Sequence, residues 1–291
     1  MESAELKTVI ECIPCFARQA AEAVAQTVPD PVRREELLRS LLKAIAEEPW
    51  DGTPPVMAQR IHRLIRQEVG SEDPYRGLKS RMNSAAETMV PLLRRRLEEC
   101  QDRHEMAVKL AIAGNLLDAG AKTQIGPDEL EDHIEKILTA PLRGDPKILF
   151  RAAEEAHCIL YLADNAGEIF FDRLLIEELP AEKITLFVRG APTINDATLA
   201  DAERAGLPEI LPVWGNGSDA PGTIVEDCDE KFREWFECAD LIISKGQGNY
   251  ETLSDTDKHI FFLFTVKCPV VAEQTGEPVG SMMVMERNGN E

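Results

Sequence analysis

The apolar run Ile159-Leu160-Tyr161-Leu162-Ala163 stops abruptly at Asp164-Asn165-Ala166-Gly167-Glu168. A short run bounded by small and polar residues reads as a buried strand feeding a loop and then a helix. Two later segments repeat the layout: Phe187-Val188-Arg189-Gly190 through Asn195-Asp196, and Ile242-Ile243-Ser244-Lys245-Gly246-Gln247-Gly248-Asn249-Tyr250-Glu251. Strands alternating with helices in this way predict a mainly parallel α/β sheet covered by helices on both faces. Such sheets bind ligands in the crevice at the carboxyl ends of their strands.

The first half of the chain has a different pattern. Leu6, Val9, Ile10 and Ile13 fall at helical spacing, as do Leu37, Leu38, Leu41, Leu42 and Ile45. Asp30-Pro31 opens one helix, with a cap residue followed by a proline at the first position. Breaks at 50–55 and 72–75 frame a helix over 56–69, and a long helix follows from Arg76. Another helix covers 106–117, and Pro127-Asp128-Glu129 opens one more. Pro141-Leu142-Arg143-Gly144-Asp145-Pro146 is a turn cluster. The expected division is an all-helical region over 1–145 and an α/β domain over 146–291 that carries the site. Within the latter, strands are expected at 158–163, 184–188, 210–213, 241–244 and near Val270-Val271. Helices are expected at 170–178, 196–205, 230–239 and 260–265.

The net charge of −20 argues against nucleic acid, whose phosphates need Lys and Arg. It also means that a phosphate site would need local cations or a metal. No apolar stretch approaches the ~20 residues that span a bilayer, and the acidic start Met1-Glu2-Ser3-Ala4-Glu5 lacks a signal-peptide core. Seven scattered cysteines fit reduced thiols, so a cytoplasmic protein with no membrane partner is expected. The oligomeric state stays open.

Asp164 and Asn165 offer oxygen ligands suited to a hard divalent cation, or alternatively a helix cap and a turn. Asn195 and Asp196 end the second loop before a helix, so the same two readings apply. In the third loop Gly246 and Gly248 permit close backbone approach, and Lys245 offers a point charge to an anion. Lys267 follows a strongly apolar run and is either a snorkelling surface residue or a second phosphate contact. Cys12-Ile13-Pro14-Cys15 is the only CxxC, too little for a zinc ribbon. His62, His104, His133, His157 and His259 show no paired metal spacing.

Together these residues resemble the metal-dependent damage-control phosphatases, a family long catalogued as a domain of unknown function. The family also includes enzymes once proposed to be carboxyl methyltransferases. The likeness spans nearly the whole chain. It rests on Glu11-Cys12-Ile13-Pro14-Cys15, Asp73-Pro74-Tyr75-Arg76 with Lys79 and Asn83, and Ala113-Gly114-Asn115-Leu116-Leu117-Asp118. It continues through Leu162 to Glu168, Arg189-Gly190 with Asn195-Asp196-Ala197-Thr198, and Ser244 to Glu251. The cysteine pair is similar to that of the compact prokaryotic branch. The resemblance implies a helical N-terminal region on a Rossmann-like domain and a divalent metal (Mn, Mg, Co or Ni) held by Asp164, Asn165 and Asp196. It implies substrate or phosphate contacts from Glu168, Lys245, Gly246, Gln247, Gly248, Asn249 and Lys267, with Asn115 and Asp118 also at the cleft. The implied substrate is a small phosphorylated metabolite, such as a sugar phosphate or a damaged cofactor phosphate.

In this reading Asp164, Glu168 and Lys245 carry the chemistry. A nucleophilic Asp164 would form an aspartyl-phosphate, but such phosphatases place a second carboxylate two residues on, where this chain has Ala166. Direct attack by water, oriented by Glu168, is therefore expected. Two other classes stay open. A methyltransferase using S-adenosylmethionine would favour a GxGxG loop after the first strand. A non-catalytic sensor of a phosphorylated metabolite would show no turnover.

Overall fold

Caps and apolar spacing set the helices of the first half. The computed structural model describes residues 6–114, 135–136 and 139–289. Its first helices are α1 (Ile13–Thr27), α2 (Pro31–Glu47), α3 (Pro54–Val69), α4 (Arg76–Glu99) and α5 (Arg103–Ala113). Asp30 caps α2 by accepting from the amides of Val32 and Arg33, at 3.4 and 3.2 Å. Gly70, at φ 65°, ends α3 in the left-handed conformation that glycine adopts without strain. Phe16, Ala20, Leu37, Leu41, Met57, Ile61 and Ile65 pack α1–α3 around one apolar cluster, which Tyr75, Leu78 and Met82 extend. Asn115, Asp118 and the helix expected from Pro127 lie outside the described residues.

The second half adds β1 (Leu142–Arg143), α6 (Pro146–Glu155), β2 (Ile159–Leu162), α7 (Glu168–Ile176), β3 (Ile184–Val188), α8 (Leu199–Arg204) and β4 (Val213–Gly215). It continues with α9 (Glu230–Cys238), β5 (Leu241–Lys245), α10 (Gln247–Leu253), β6 (Ile260–Thr265), α11 (Pro269–Thr275) and β7 (Met282–Arg287). The strands form one sheet in the order β1-β7-β6-β5-β2-β3-β4. β6, β5, β2, β3 and β4 are parallel, and β7 runs antiparallel to β6. One face carries Tyr161, Leu186, Ile243, Phe261 and Leu263 against α4–α8, and the other carries Leu160, Phe187, Ile242, Phe262 and Phe264 against α9 and α10. Burying each such side chain contributes about 1.5–3 kcal/mol.

Four local expectations are corrected; the strand expected at 210–213 is found instead at β4, Val213–Gly215. Ile260–Thr265, expected as a helix, is β6. Its successive side chains enter opposite cores, so no polar residue marks the period-2 pattern. Val270-Val271, expected as a strand, lies in α11, which Pro269 opens at its first turn. The antiparallel strand beside β6 is β7, which lies between β6 and the edge strand β1. α8 starts at Leu199 rather than Asp196, because Thr198 and Asp201 form a capping box there.

Going outward from β2, the chain proceeds through β3 and β4 on one side and β5 and β6 on the other. The winding therefore reverses between β2 and β5. That reversal opens a crevice at their carboxyl ends, where the loops carrying Asp164 and Gly246 emerge.

Candidate active site

The loop after β2 is locked from several sides. Ala163 donates its amide to Phe187 O at 3.0 Å, and Ala166 donates to Asn195 O at 2.8 Å. Gly167 takes φ 76° and donates to Asn83 Oδ1 of α4 at 2.7 Å. Asn165 and Asp196 form an isolated antiparallel bridge, so the first two loops touch along their backbones. Ala197 donates to Asp164 O at 2.8 Å. These bonds put Asp164, Asn165 and Asp196 together at one end of the sheet.

The third loop closes against them. A Cβ on Gly246 would sit 2.1 Å from Asp164 Cγ, and Gly246 has φ 83°. Only glycine fits both the contact and the conformation. Gly246→Ala is therefore expected to cost at least about 1–3 kcal/mol from backbone strain alone, and to displace Asp164. Urea unfolding together with phosphate release checks this; parent-like values in both would contradict it.

A cleft of about 390 Å³ opens over this point. Asp164, Asn165, Asn195, Asp196, Gln247, Gly248, Glu251 and Lys267 line its sheet end. Cys12, Phe16, Gln19, Ala58, Tyr75 and Leu78 line the opposite wall, which comes from the helical region. The apolar part of that wall can face the organic portion of a ligand, while the sheet end is polar and charged.

Three expected contacts sit elsewhere. Lys245 does not enter the cleft: it is fully buried, and its ammonium donates to Glu168 Oε1 and Asp172 Oδ1, both at 2.6 Å, and to Ala111 O at 2.9 Å. All three donor positions of the ammonium are taken. Glu168 is also fully buried, with Oε2 accepting from Asn165 Nδ2 at 3.1 Å. Asn249 is buried under the floor. Its Nδ2 donates to Lys245 O at 2.7 Å and Ala163 O at 3.3 Å, and its Oδ1 accepts from Arg189 Nη2 at 3.0 Å and Thr223 Oγ1 at 2.8 Å.

Other residues join the site without having been singled out. Glu251 lies one turn beyond Gln247 on α10 and accepts from its Nε2 at 2.8 Å; the i, i+4 spacing was readable in the sequence. Asp172 stands at the same interval from Glu168 on α7. It accepts from Tyr161 Oη at 2.8 Å, while its Oδ2 is buried without a hydrogen-bond partner. Arg189 pairs with Asp196 at 2.6 Å.

The electrostatics are unbalanced. Burial pushes the Glu168 carboxyl up to about 8 against the pull of Lys245, and Asp164 adds to the rise. Burial likewise takes Asp196 to about 7 despite Arg189, and Glu251 to about 7, with Asp164 again adding to both. Lys245 pairs with Glu168 and Asp172, and Arg189 pairs with Asp196; with Asp164 beside them, the four carboxylates leave two negative charges in excess over these two cations when all are ionised. A hard dication suits that excess. Among the described residues no three His, Cys, Asp or Glu side chains make a ready metal cage. Two carboxylates and an amide oxygen nevertheless suffice for an ion such as Mg²⁺, which keeps several of its waters. Asn165 Nδ2 donates to Asp164 Oδ2 at 2.6 Å and to Glu168, which turns its amide oxygen away from both.

A doubly wound α/β sheet with an acidic crevice at its switch point is a fold that binds small ligands at strand ends. The chain belongs to the damage-control phosphatase ARMT1-like family, whose sequence profile matches residues 8–283. It is 35% identical to a damage-control phosphatase of Pyrococcus horikoshii over 96% of this chain and 98% of that one. It is 38% identical to a damage-control phosphatase of Archaeoglobus fulgidus, over 78% and 80% respectively. The crystal structure of a DUF89 family protein from Pyrococcus horikoshii superposes with a TM-score of 0.89 at 34% identity, covering 97% of this chain and 99% of that one. The chain is thus a phosphatase by family, which favours that class over the methyltransferase and sensor readings.

Proposed function

We propose that the chain hydrolyses small phosphate monoesters, such as sugar phosphates or the phosphates of damaged metabolites or cofactors. A divalent cation held by Asp164, Asn165 and Asp196 would assist. One observation carries this reading: those residues, from two separate loops, meet in a buried cluster with excess negative charge. A cation there would supply Lewis-acid polarisation of the phosphoryl oxygens. The chain's own groups position the ester. Lys267, at the cleft edge, presents a positive charge already felt by Asp196 and Glu251. It balances charge on the outer phosphoryl oxygens while the backbone at 246–248 borders them. Glu168 and Lys245 act from beneath, fixing the Asn165 amide. The apolar wall takes the leaving group. The scattered thiols fit a cytoplasmic setting.

The test is phosphate release from p-nitrophenyl phosphate and a panel of sugar and cofactor phosphates, after chelation and with Mg²⁺, Mn²⁺, Co²⁺ or Ni²⁺ restored. Release is expected only with a divalent cation. Folded protein inert across the panel with every metal would contradict the proposal, and production of S-adenosylhomocysteine would move it to the methyltransferases.

A stability signature follows from the same carboxyls. Glu168, Asp196 and Glu251 have pKa values above their ordinary ones when folded. The unfolded chain then releases these protons at lower pH than the folded one, so stability falls as pH rises through about 4.5 to 8. Thermal unfolding of metal-free protein is expected at lower temperature at pH 8 than at pH 5.5. Mn²⁺ should raise the midpoint more at pH 8. Equal Mn²⁺ shifts at both pH values would contradict the cluster's role.

A further inference from the structure

Arg189 directly follows β3 and is 2% exposed. Its guanidinium is used on three sides. Nε donates to Asp196 Oδ2 at 2.6 Å, Nη2 to Asn249 Oδ1 at 3.0 Å and Nη1 to Thr223 Oγ1 at 3.3 Å. Asn249 passes the connection on to the carbonyls of Ala163 and Lys245, at the carboxyl ends of β2 and β5. One planar group therefore ties together the three strand ends whose loops carry Asp164, Asp196 and Gly246. It engages one carboxylate oxygen of Asp196 and leaves the other to be aimed by the backbone. That backbone includes Ile194 at φ 40°, an unfavourable conformation for a β-branched residue, two positions before Asp196. A loop strained there needs an anchor if Asp196 is to hold one orientation.

We infer that Arg189 is a positioning residue that preorganises Asp196, through its fork on Asp196, Asn249 and Thr223, for the divalent cation. The inference rests on the metal reading above, and it has a sign that separates it from simple electrostatics. A positive charge beside a cation site repels the cation. Removing that charge alone would tighten metal binding, whereas losing the fork loosens it. Outer partners of metal-holding side chains are typically worth about 10–100-fold in metal affinity. Lysine keeps the charge but cannot reproduce a planar three-way fork.

The experiment is Mn²⁺ binding to the full chain, read from the free-ion paramagnetic resonance signal, with thermal unfolding recorded for each variant. The set is parent, Asp196→Asn, Arg189→Lys and Arg189→Met. Parent binding that is lost in Asp196→Asn upholds the metal reading independently of Arg189. On that background, affinity about 10–100-fold weaker in both Arg189 variants supports the inference. Affinity within about threefold of the parent in Arg189→Lys, or tighter binding in Arg189→Met, overturns it while leaving the metal reading standing. A parent that binds no Mn²⁺ overturns both. Should neither Arg189 variant fold, Thr223→Val decides, because it removes one arm of the fork at nearly constant volume: weaker binding supports positioning, and unchanged binding refutes it.

Discussion

Asp164→Ala is expected to reduce cation-dependent phosphate release by at least about 100-fold while leaving the metal-free fold as stable as the parent or more so. The two halves of that expectation come from one fact. Asp164 sits where the loops after β2, β3 and β5 converge, and its charge raises the pKa of Glu168, Asp172, Asp196 and Glu251. In the absence of a cation this is repulsion, and removing its source relieves the folded state. With a cation present the same charge is a ligand, and removing it leaves Asp196 and Asn165 too few to hold the ion against water. Urea unfolding without metal and phosphate release with Mn²⁺ check the two halves on one preparation. A variant that hydrolyses as fast as the parent removes Asp164 from the chemistry. A variant that loses both activity and fold makes Asp164 a structural residue.

Lys245→Met should act in the opposite way, destabilising the protein by about 3–5 kcal/mol, because it strands Glu168 and Asp172 as uncompensated buried carboxylates. Methionine approximates the volume of the lysine stem, so the loss comes from charge rather than from a cavity. The sign with pH is fixed. Both carboxyls have pKa values above ordinary already, and losing the cation between them raises these further. The deficit is then largest near pH 8 and shrinks as pH falls and the carboxyls protonate. Asp172→Asn in the same chain should recover part of it. Denaturant midpoints at pH 6 and pH 8 for the single and double variants check this. A Lys245→Met protein as stable as the parent at pH 8 would show that the buried ion triad contributes little.

Some of this site was legible in the chain and some was not. Asp164 and Asn165 were readable because they follow β2 almost directly, and Asp196 because it lies in the loop between β3 and the next helix, where side chains gather at a strand-end crevice. Lys245 was not. Along β5 successive side chains alternate between faces, and Lys245 shares the face of Ile243, which lies under α4–α8 rather than at the cleft. The sequence shows the alternation but not which face is roofed by α5 and α7. Asn249 looked like an anion-loop residue, and its amide is instead consumed by two strand-end carbonyls and Arg189, partners distant in sequence. β6 was misread because both its faces are buried, which erases the polar phase that identifies a strand. Aromatic enrichment in Ile260-Phe261-Phe262-Leu263-Phe264 was the remaining cue.

The helical region matters to function through position. Asn83 of α4 accepts from the Gly167 amide and donates to Asp201 Oδ1 at 2.7 Å, tying α4 both to the first loop and to α8. Phe16, Ala58 and Tyr75 reach over the crevice from α1, α3 and the turn before α4. In the proposed reading the sheet end supplies the carboxylates and Lys267, and the helical wall, which mixes Phe16, Ala58 and Tyr75 with Glu11, Arg18 and Glu22, would face the rest of the ester.

The most direct measurement is anomalous scattering from a crystal equilibrated with Mn²⁺ and collected at the manganese edge. The account predicts one strong peak within about 2.0–2.3 Å of carboxylate oxygens from Asp164 and Asp196, with the Asn165 amide oxygen beside it. A crystal saturated with Mn²⁺ that shows its peak elsewhere, or none in the crevice between β2 and β5, would contradict it.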